Sequence, residues 1–171
     1  MSKKLILGND PILRQSSKAI LKVNKSVKKL AKDLIEVMRK NNGAGISAIQ
    51  IGIPKRMIAY EYKKTKDAKS TWPNLPLKIL INPEIIKISK KTKIDEEGCL
   101  SFPNLFGEVK RPYGIRIKTM DLKGKIKEFD AKGLEARVIQ HEIDHLAGIL
   151  FIDRLVIPGK LYTYEITSGK S

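Results

Sequence analysis

The sequence predicts an α+β fold: antiparallel β-sheets surrounding a central helix near the C-terminal end, with a second helix near the N-terminus. Three observations predict it. Two segments carry helix caps and helical patterning, at about 26–40 and 133–146. The stretch between them breaks into short strand-like runs separated by turn signals. No internal repeat and no domain-sized linker interrupts the chain, so residues 1–171 are expected to form one domain.

Taken in order, residues 1–23 read as mostly irregular, with Asp10-Pro11 starting a turn and a short helical turn after it. Asn24 or Ser26 can cap the first helix. Val27, Leu30, Ala31, Leu34, Ile35 and Met38 then repeat at helical spacing, and Asn41-Asn42-Gly43 can stop it. Residues 43–52 are rich in glycine and small side chains, which lets other groups approach the backbone closely. Residues 56–62 read as a strand, and 63–76 as a polar surface loop containing Trp72. Residues 77–88 read as one or two strands broken at Asn82-Pro83, and 90–96 as a charged turn or loop. Strands are expected at 108–111 and 115–121. A turn at Asp121-Leu122-Lys123-Gly124 leads to a pairing strand at 126–129. The second helix should stop at Gly148, and the alternating segment 161–166 reads as a last strand.

Composition narrows the function. No apolar run reaches membrane-spanning length, and the apolar run after Lys3-Lys4 is too short for a signal-peptide core, so a cytoplasmic protein with no membrane partner is expected. The net charge of +16 favours anionic surroundings. Its lysines are scattered, without aromatic interleaving or a nucleic-acid motif, so no specific nucleic-acid site is expected.

The chemistry concentrates at Gln140-His141-Glu142-Ile143-Asp144-His145, which contains H-E-x-x-H. Four residues apart on a helix, His141 and His145 project from one face and can bind one metal ion. Glu142 lies beside the first of them, placed to act as a general base on a metal-bound water. They are the chain's two histidines. A catalytic site of this kind takes three protein ligands and a water. The H-E-x-x-H-x-x-G-x-x-H pattern fails because position 151 is Phe, and Glu165, the candidate for a thermolysin-like ligand, lies in a strand-like segment. Cys99 remains as a strong thiolate donor. Alone it could equally be a buried thiol or a nucleophile.

Three segments in order, Gly43-Ala44-Gly45-Ile46-Ser47-Ala48-Ile49-Gln50, Glu97-Gly98-Cys99-Leu100-Ser101 and Gln140 to His145, resemble the signature motifs of the peptide deformylase family. The resemblance runs to about Arg154. It implies a hydrolase that removes the formyl group from the N-terminal formyl-methionine of nascent bacterial or organellar chains. The implied cofactor is Fe2+, with Zn2+, Ni2+ or Co2+ as substitutes, held by Cys99, His141 and His145. Glu142 would be general base and acid, and the Leu100 amide with the Gln50 side chain would form an oxyanion hole. The Ala44, Gly45 and Gly98 backbones would pair with substrate as an added strand. Leu134, Val138 and the stem of Arg137 would wall the methionine pocket, with the Arg137 head snorkelling to solvent.

The sequence departs from the family in three places. Ser47 replaces a usual alanine. Phe106 replaces an arginine that holds substrate in many bacterial members. The tail reads as a strand where some members have a ribosome-docking helix, so a transient ribosome contact is expected without that element. Two rivals are a zinc peptidase with a different third ligand, and a basic ribosome- or RNA-binding protein that kept the fold without turnover.

Overall fold

The computed structural model describes residues 3–64 and 72–164. It is α+β: helix α1 (Lys25–Lys40) precedes seven strands, and helix α2 (Gly133–Leu146) follows them. Strands β1 (Gly45–Ser47), β2 (Met57–Tyr62), β3 (Leu75–Ile88), β6 (Gly114–Met120) and β7 (Ile126–Lys132) form one antiparallel sheet in the order β1-β2-β3-β6-β7. Strands β4 (Thr92–Cys99) and β5 (Phe102–Pro112) pair as a separate two-stranded ribbon.

The five-stranded sheet is covered on both faces, and β2 shows why. Its residues point alternately to opposite faces. Met57 and Ala59 join a cluster with Val27, Leu30, Leu34 and Met38 of α1, whereas Ile58 and Tyr60 join one with Ala136, Ile139 and Leu146 of α2. Both faces of β2 are therefore apolar, as a central strand requires. Asn24 caps α1 by accepting from Val27 N at 3.0 Å, and Asn42 takes φ 53 past its end. Of the expected stripe, Ile35 is only partly buried, and Val37 takes a buried place instead. Helix α2 spans the expected residues, and Gly148, at φ 73, lies just past its end.

Several local expectations are corrected. Residues 90–96 are not simply a charged loop, because β4 begins at Thr92. Its first residues, Thr92 to Ile94, are exposed, and burial increases along the strand to Glu97. Strand β5 is longer than the predicted 108–111 because it follows β4 along the whole ribbon. Asn82-Pro83 does not divide β3. Asn82 takes φ 50 and the register with β6 shifts between Ile81 and Glu84, so the break is a bulge within one strand. The expected surface loop gives up its last residues to β3, which starts at Leu75, and Trp72 stacks edge-on against Tyr62 at 5.6 Å. The rest of that loop, 65–71, lies outside the described residues. The expected last strand is reduced to a single antiparallel bridge between Phe106 and Tyr162. Residues 165–166 lie outside the described residues.

Candidate metal centre and active site

Helix α2 brings His141, Glu142 and His145 against the end of the β4–β5 ribbon. There the chain turns between Cys99 and Phe102 and presents the Cys99 thiol. Ligand atoms of Cys99, His141 and His145 lie within 4.8 Å of one another. Cys99 Sγ is 3.2 Å from His145 Nε2. His141 Nδ1 is 2.9 Å from Glu97 Oε2, which leaves Nε2 as its ligating nitrogen. One thiolate and two imidazoles suit a borderline-soft divalent ion, so the donor set fits a metal centre.

Glu97 anchors this arrangement. It is 5% exposed and receives two hydrogen bonds from Arg111, Nε to Oε1 and Nη2 to Oε2, both 2.9 Å. Arg137 Nη1 donates to Glu97 Oε1 at 2.7 Å. Arg111 continues to Asp144 Oδ2 at 2.5 Å, and Arg154 clasps the same carboxylate from outside, Nη2 to Oδ1 at 2.9 Å. Burial alone would push the Glu97 carboxyl up. The bonds from Arg111 and His141 overcome it and hold the group far below its ordinary value. For His141 burial works downward, but Cys99 and Glu97 raise its pKa well above normal. The surroundings thus favour positive charge at the point where a cation would sit. His145 goes the other way. Burial, then the charges of His141 and Arg111, hold it well below its usual value, in the neutral form that ligates.

Glu142 is 3% exposed, and its Oε2 has no hydrogen-bond partner among the described residues. Burial, opposed by His141 and reinforced by Glu97, pushes its carboxyl up to about 7. A carboxyl poised near neutrality can both take and return a proton. Gly45 makes room for it: a Cβ there would lie 2.6 Å from Glu142 Oε1 and 2.8 Å from Val138 Cγ1. The close approach expected at this glycine is therefore occupied by side chains of α2.

Gln50 does two things at once. Its Oε1 accepts from Ser47 N at 2.8 Å and Ser47 Oγ at 2.9 Å, within the 3-10 turn Ala48–Ile51. That fixes the amide plane and turns Nε2 toward Cys99 Sγ (3.5 Å) and Ser101 Oγ (3.2 Å). The hydroxyl of Ser47 thus has a partner that an alanine there would not offer.

These groups border a cavity of about 660 Å³. Gly43, Ala44 and Gly45 line one side, and Gly98, Leu100 and Phe106 the other. Leu134, Arg137, Val138, His141 and Glu142 line it from α2. Strand β1 is the edge strand of its sheet, and no further strand pairs with its outer edge among the described residues. Of the residues expected at the site, His145 alone does not line the cavity, lying deeper behind Cys99. Snorkelling of Arg137 is corrected. It is 7% exposed, and its head donates to Glu97, to Val109 O at 3.0 Å and to Lys93 O at 2.8 Å. A buried carboxylate and two strand carbonyls hold it in place of solvent. Sequence reasoning gave no role to Glu97, Arg111 or Asp144. The signal for Glu97 was its i, i+2 spacing from Cys99, which puts both on one face of a strand.

The sequence model of the polypeptide deformylase family matches residues 2–160. A peptide deformylase of Mesorhizobium japonicum is 44% identical over 153 residues, 90% of this chain and 84% of that protein. One from Rhizobium meliloti is 42% identical over 151 residues, 88% of this chain and 83% of that one. Among solved structures, the Thermotoga maritima peptide deformylase superposes with TM-score 0.81 at 35% identity, covering 92% of this chain and 99% of that one. The Met-Ala-Ser-bound class I type b enzyme of Acinetobacter baumannii gives TM-score 0.84 at 32% identity, over 91% and 100%.

Proposed function

The chain belongs to the polypeptide deformylase family, and from that premise we propose that it removes the formyl group from N-terminal formyl-methionine of nascent polypeptides, releasing formate. The observation that carries the reading is the convergence of three donor atoms within 4.8 Å beside a buried, unpartnered Glu142 oxygen. A divalent ion held by Cys99, His141 and His145 would lower the pKa of water and polarise the formyl carbonyl.

The chain's own groups supply the rest. Glu142 Oε2 takes a proton from the attacking water and returns it to the departing amine, a transfer its near-neutral pKa suits. Gln50 Nε2 and the Leu100 amide donate to the formyl oxygen as it gains charge. Gln50 needs no reorganisation for this, because Ser47 already fixes its plane. The open edge of β1 at Ala44 and Gly45, with Gly98 opposite, receives the peptide as an added strand. Main-chain pairing of this kind ignores side-chain identity, which suits an enzyme acting on many chains. Leu134 and Val138 form the wall for methionine, and the aliphatic stem of Arg137 lies beside them.

The donor set accepts zinc and iron(II) alike, and we read Fe2+ as the working ion because the reaction needs a centre that expands its coordination readily. We read residues 1–171 as one catalytic domain working in the bacterial cytoplasm, in transient contact with the ribosome. The test is formate release from formyl-Met-Ala-Ser by protein reloaded anaerobically with iron(II), zinc or nickel. Activity with iron(II) or nickel that exceeds zinc, and that air abolishes for iron(II), is expected. No formate with any ion would overturn the reading.

A further inference from the structure

Beyond the metal cluster, the cavity has a second end with a construction of its own. The C-terminal segment returns across the outer edge of β5. Tyr162 N donates to Phe106 O and Phe106 N to Tyr162 O, each at 3.0 Å. On its other edge Phe106 is the register partner of Gly98. Directly opposed residues in antiparallel pairs share a face, so Gly98, Phe106 and Tyr162 form one row across three adjacent segments. The Phe106 ring lies over Gly98, where a Cβ would come within 2.7 Å of it. Tyr164 packs edge-on against Phe106 at 5.1 Å and against Tyr162 at 6.0 Å.

The two tyrosines also share one acceptor. Tyr162 Oη donates to Glu96 Oε2 at 2.7 Å, and Tyr164 Oη donates to the same oxygen. Glu96 and Phe106 both line the cavity. Neither tyrosine is in contact with the metal cluster, and no step of the reaction uses them.

The position of this end along the groove follows from strand geometry. Glu96 is three residues from Cys99 on β4, about 10 Å along the strand at roughly 3.3 Å per residue. A substrate strand lying beside β4 advances at the same rate. With its formyl group at the cluster, its third residue comes level with Glu96 and Phe106.

We infer that the C-terminal segment supports one end of the substrate groove from behind, with Tyr162 and Tyr164 as positioning residues. They fix Phe106 and Glu96 as an end wall that engages the peptide beyond its second residue. The inference rests on the deformylase reading. Without the tail, Phe106 would lose its backbone bridge and its ring partner, and Glu96 would lose both phenol donors. The wall would then contribute less to holding longer peptides.

The experiment compares kcat/KM for formyl-Met-Ala-Ser with that for formyl-Met-Ala, by formate release. It uses the full chain, Tyr164→Ala, and the double variant Tyr162→Phe, Tyr164→Phe. In the wild-type protein the longer peptide is favoured. In Tyr164→Ala the preference falls about fivefold, mainly through KM, as expected for one aromatic contact. The double variant, which keeps the rings and removes only the hydroxyls, falls by a smaller factor. A merely structural role would lower both substrates together and leave their ratio unmoved. An unchanged ratio in both variants, or a wild-type ratio near one, would overturn the inference while leaving the deformylase reading standing. Absence of formate from either peptide with wild-type protein would overturn both.

Discussion

Helix α2 is held differently on its two sides. Toward the five-stranded sheet it presents Ala136, Ile139 and Leu146, packed with Ile58, Tyr60, Leu80, Ile115 and Ile117. Toward the β4–β5 ribbon it presents Arg137, His141 and Asp144, engaged with Glu97 and Arg111. The apolar side resists unfolding but specifies direction weakly, since dispersion and burial are non-directional. The ionic side contributes little net stability, because desolvation of buried charges offsets most of their attraction. What it contributes is position. Bidentate Arg111 and the His141 bond set Glu97, and through it the ribbon that carries Cys99, at a defined angle to the helix that carries both histidines. The packing side and the placing side of one helix have thus been separated.

That division can be broken from either side. Glu97→Ala should have the largest effect. It leaves buried Arg137 without a carboxylate, Arg111 with Asp144 alone, and His141 without its orienting partner. A stability loss of about 3–5 kcal/mol is expected, with metal affinity lowered roughly 10- to 100-fold. Urea denaturation and metal titration on the same preparation would check it, and a variant that binds metal normally would remove Glu97 from the positioning role. Ile139→Ala, on the packing side, is expected to cost about 2–5 kcal/mol, with metal stoichiometry and KM unaltered at temperatures where it remains folded. If it weakened metal binding as much as Glu97→Ala, the two sides would not be separable.

Arg137→Leu sharpens the comparison. It removes one of the two guanidinium partners of Glu97 and frees the carbonyls of Val109 and Lys93. A loss of about 1–3 kcal/mol is expected, with metal affinity falling less than in Glu97→Ala because Arg111 and His141 remain. An equal fall would make Arg137, not Arg111, the main support. The smallest effect belongs to Asp153, at the surface beside the network. Partial burial pulls its pKa up, but the Arg14 pair and the Leu150 N–H bond bring it below the ordinary value. A depressed carboxylate contributes stability that is present above its unfolded pKa and lost as pH falls through the folded one. Asp153→Asn should therefore cost less than about 1 kcal/mol at neutral pH and make the acid limb slightly shallower below about pH 4. A steeper acid limb would reverse the sign and contradict the pairing with Arg14.

The apolar side was legible in the sequence and the ionic side was not, for a physical reason. Helical and alternating periodicities are local, so α1, α2, β2 and the β6–β7 hairpin could be read from spacing alone. H-E-x-x-H carries its geometry in five residues, and Cys99 followed as the remaining donor. Glu97, Arg111, Arg137 and Asp144 meet only through tertiary structure, across separations of 14 to 40 residues that no local pattern encodes. Arg137 shows the cost: on its helix it resembles a solvated residue, and only the carbonyls of the ribbon reveal why it is buried. Residues 90–96 were misread for a related reason. The first residues of β4, Thr92 to Ile94, are exposed on both faces, so the segment mimics a loop.

In the proposed mechanism Cys99, His141 and His145 hold the ion while Glu142 moves the proton. The division of roles is tested most directly by formate release from formyl-Met-Ala-Ser by Glu142→Gln, with metal content measured on the same anaerobically prepared sample. Metal bound as in the wild-type protein and turnover lowered by roughly 10²-fold or more are expected. Full turnover by this variant, or loss of the metal with the substitution, would contradict that division.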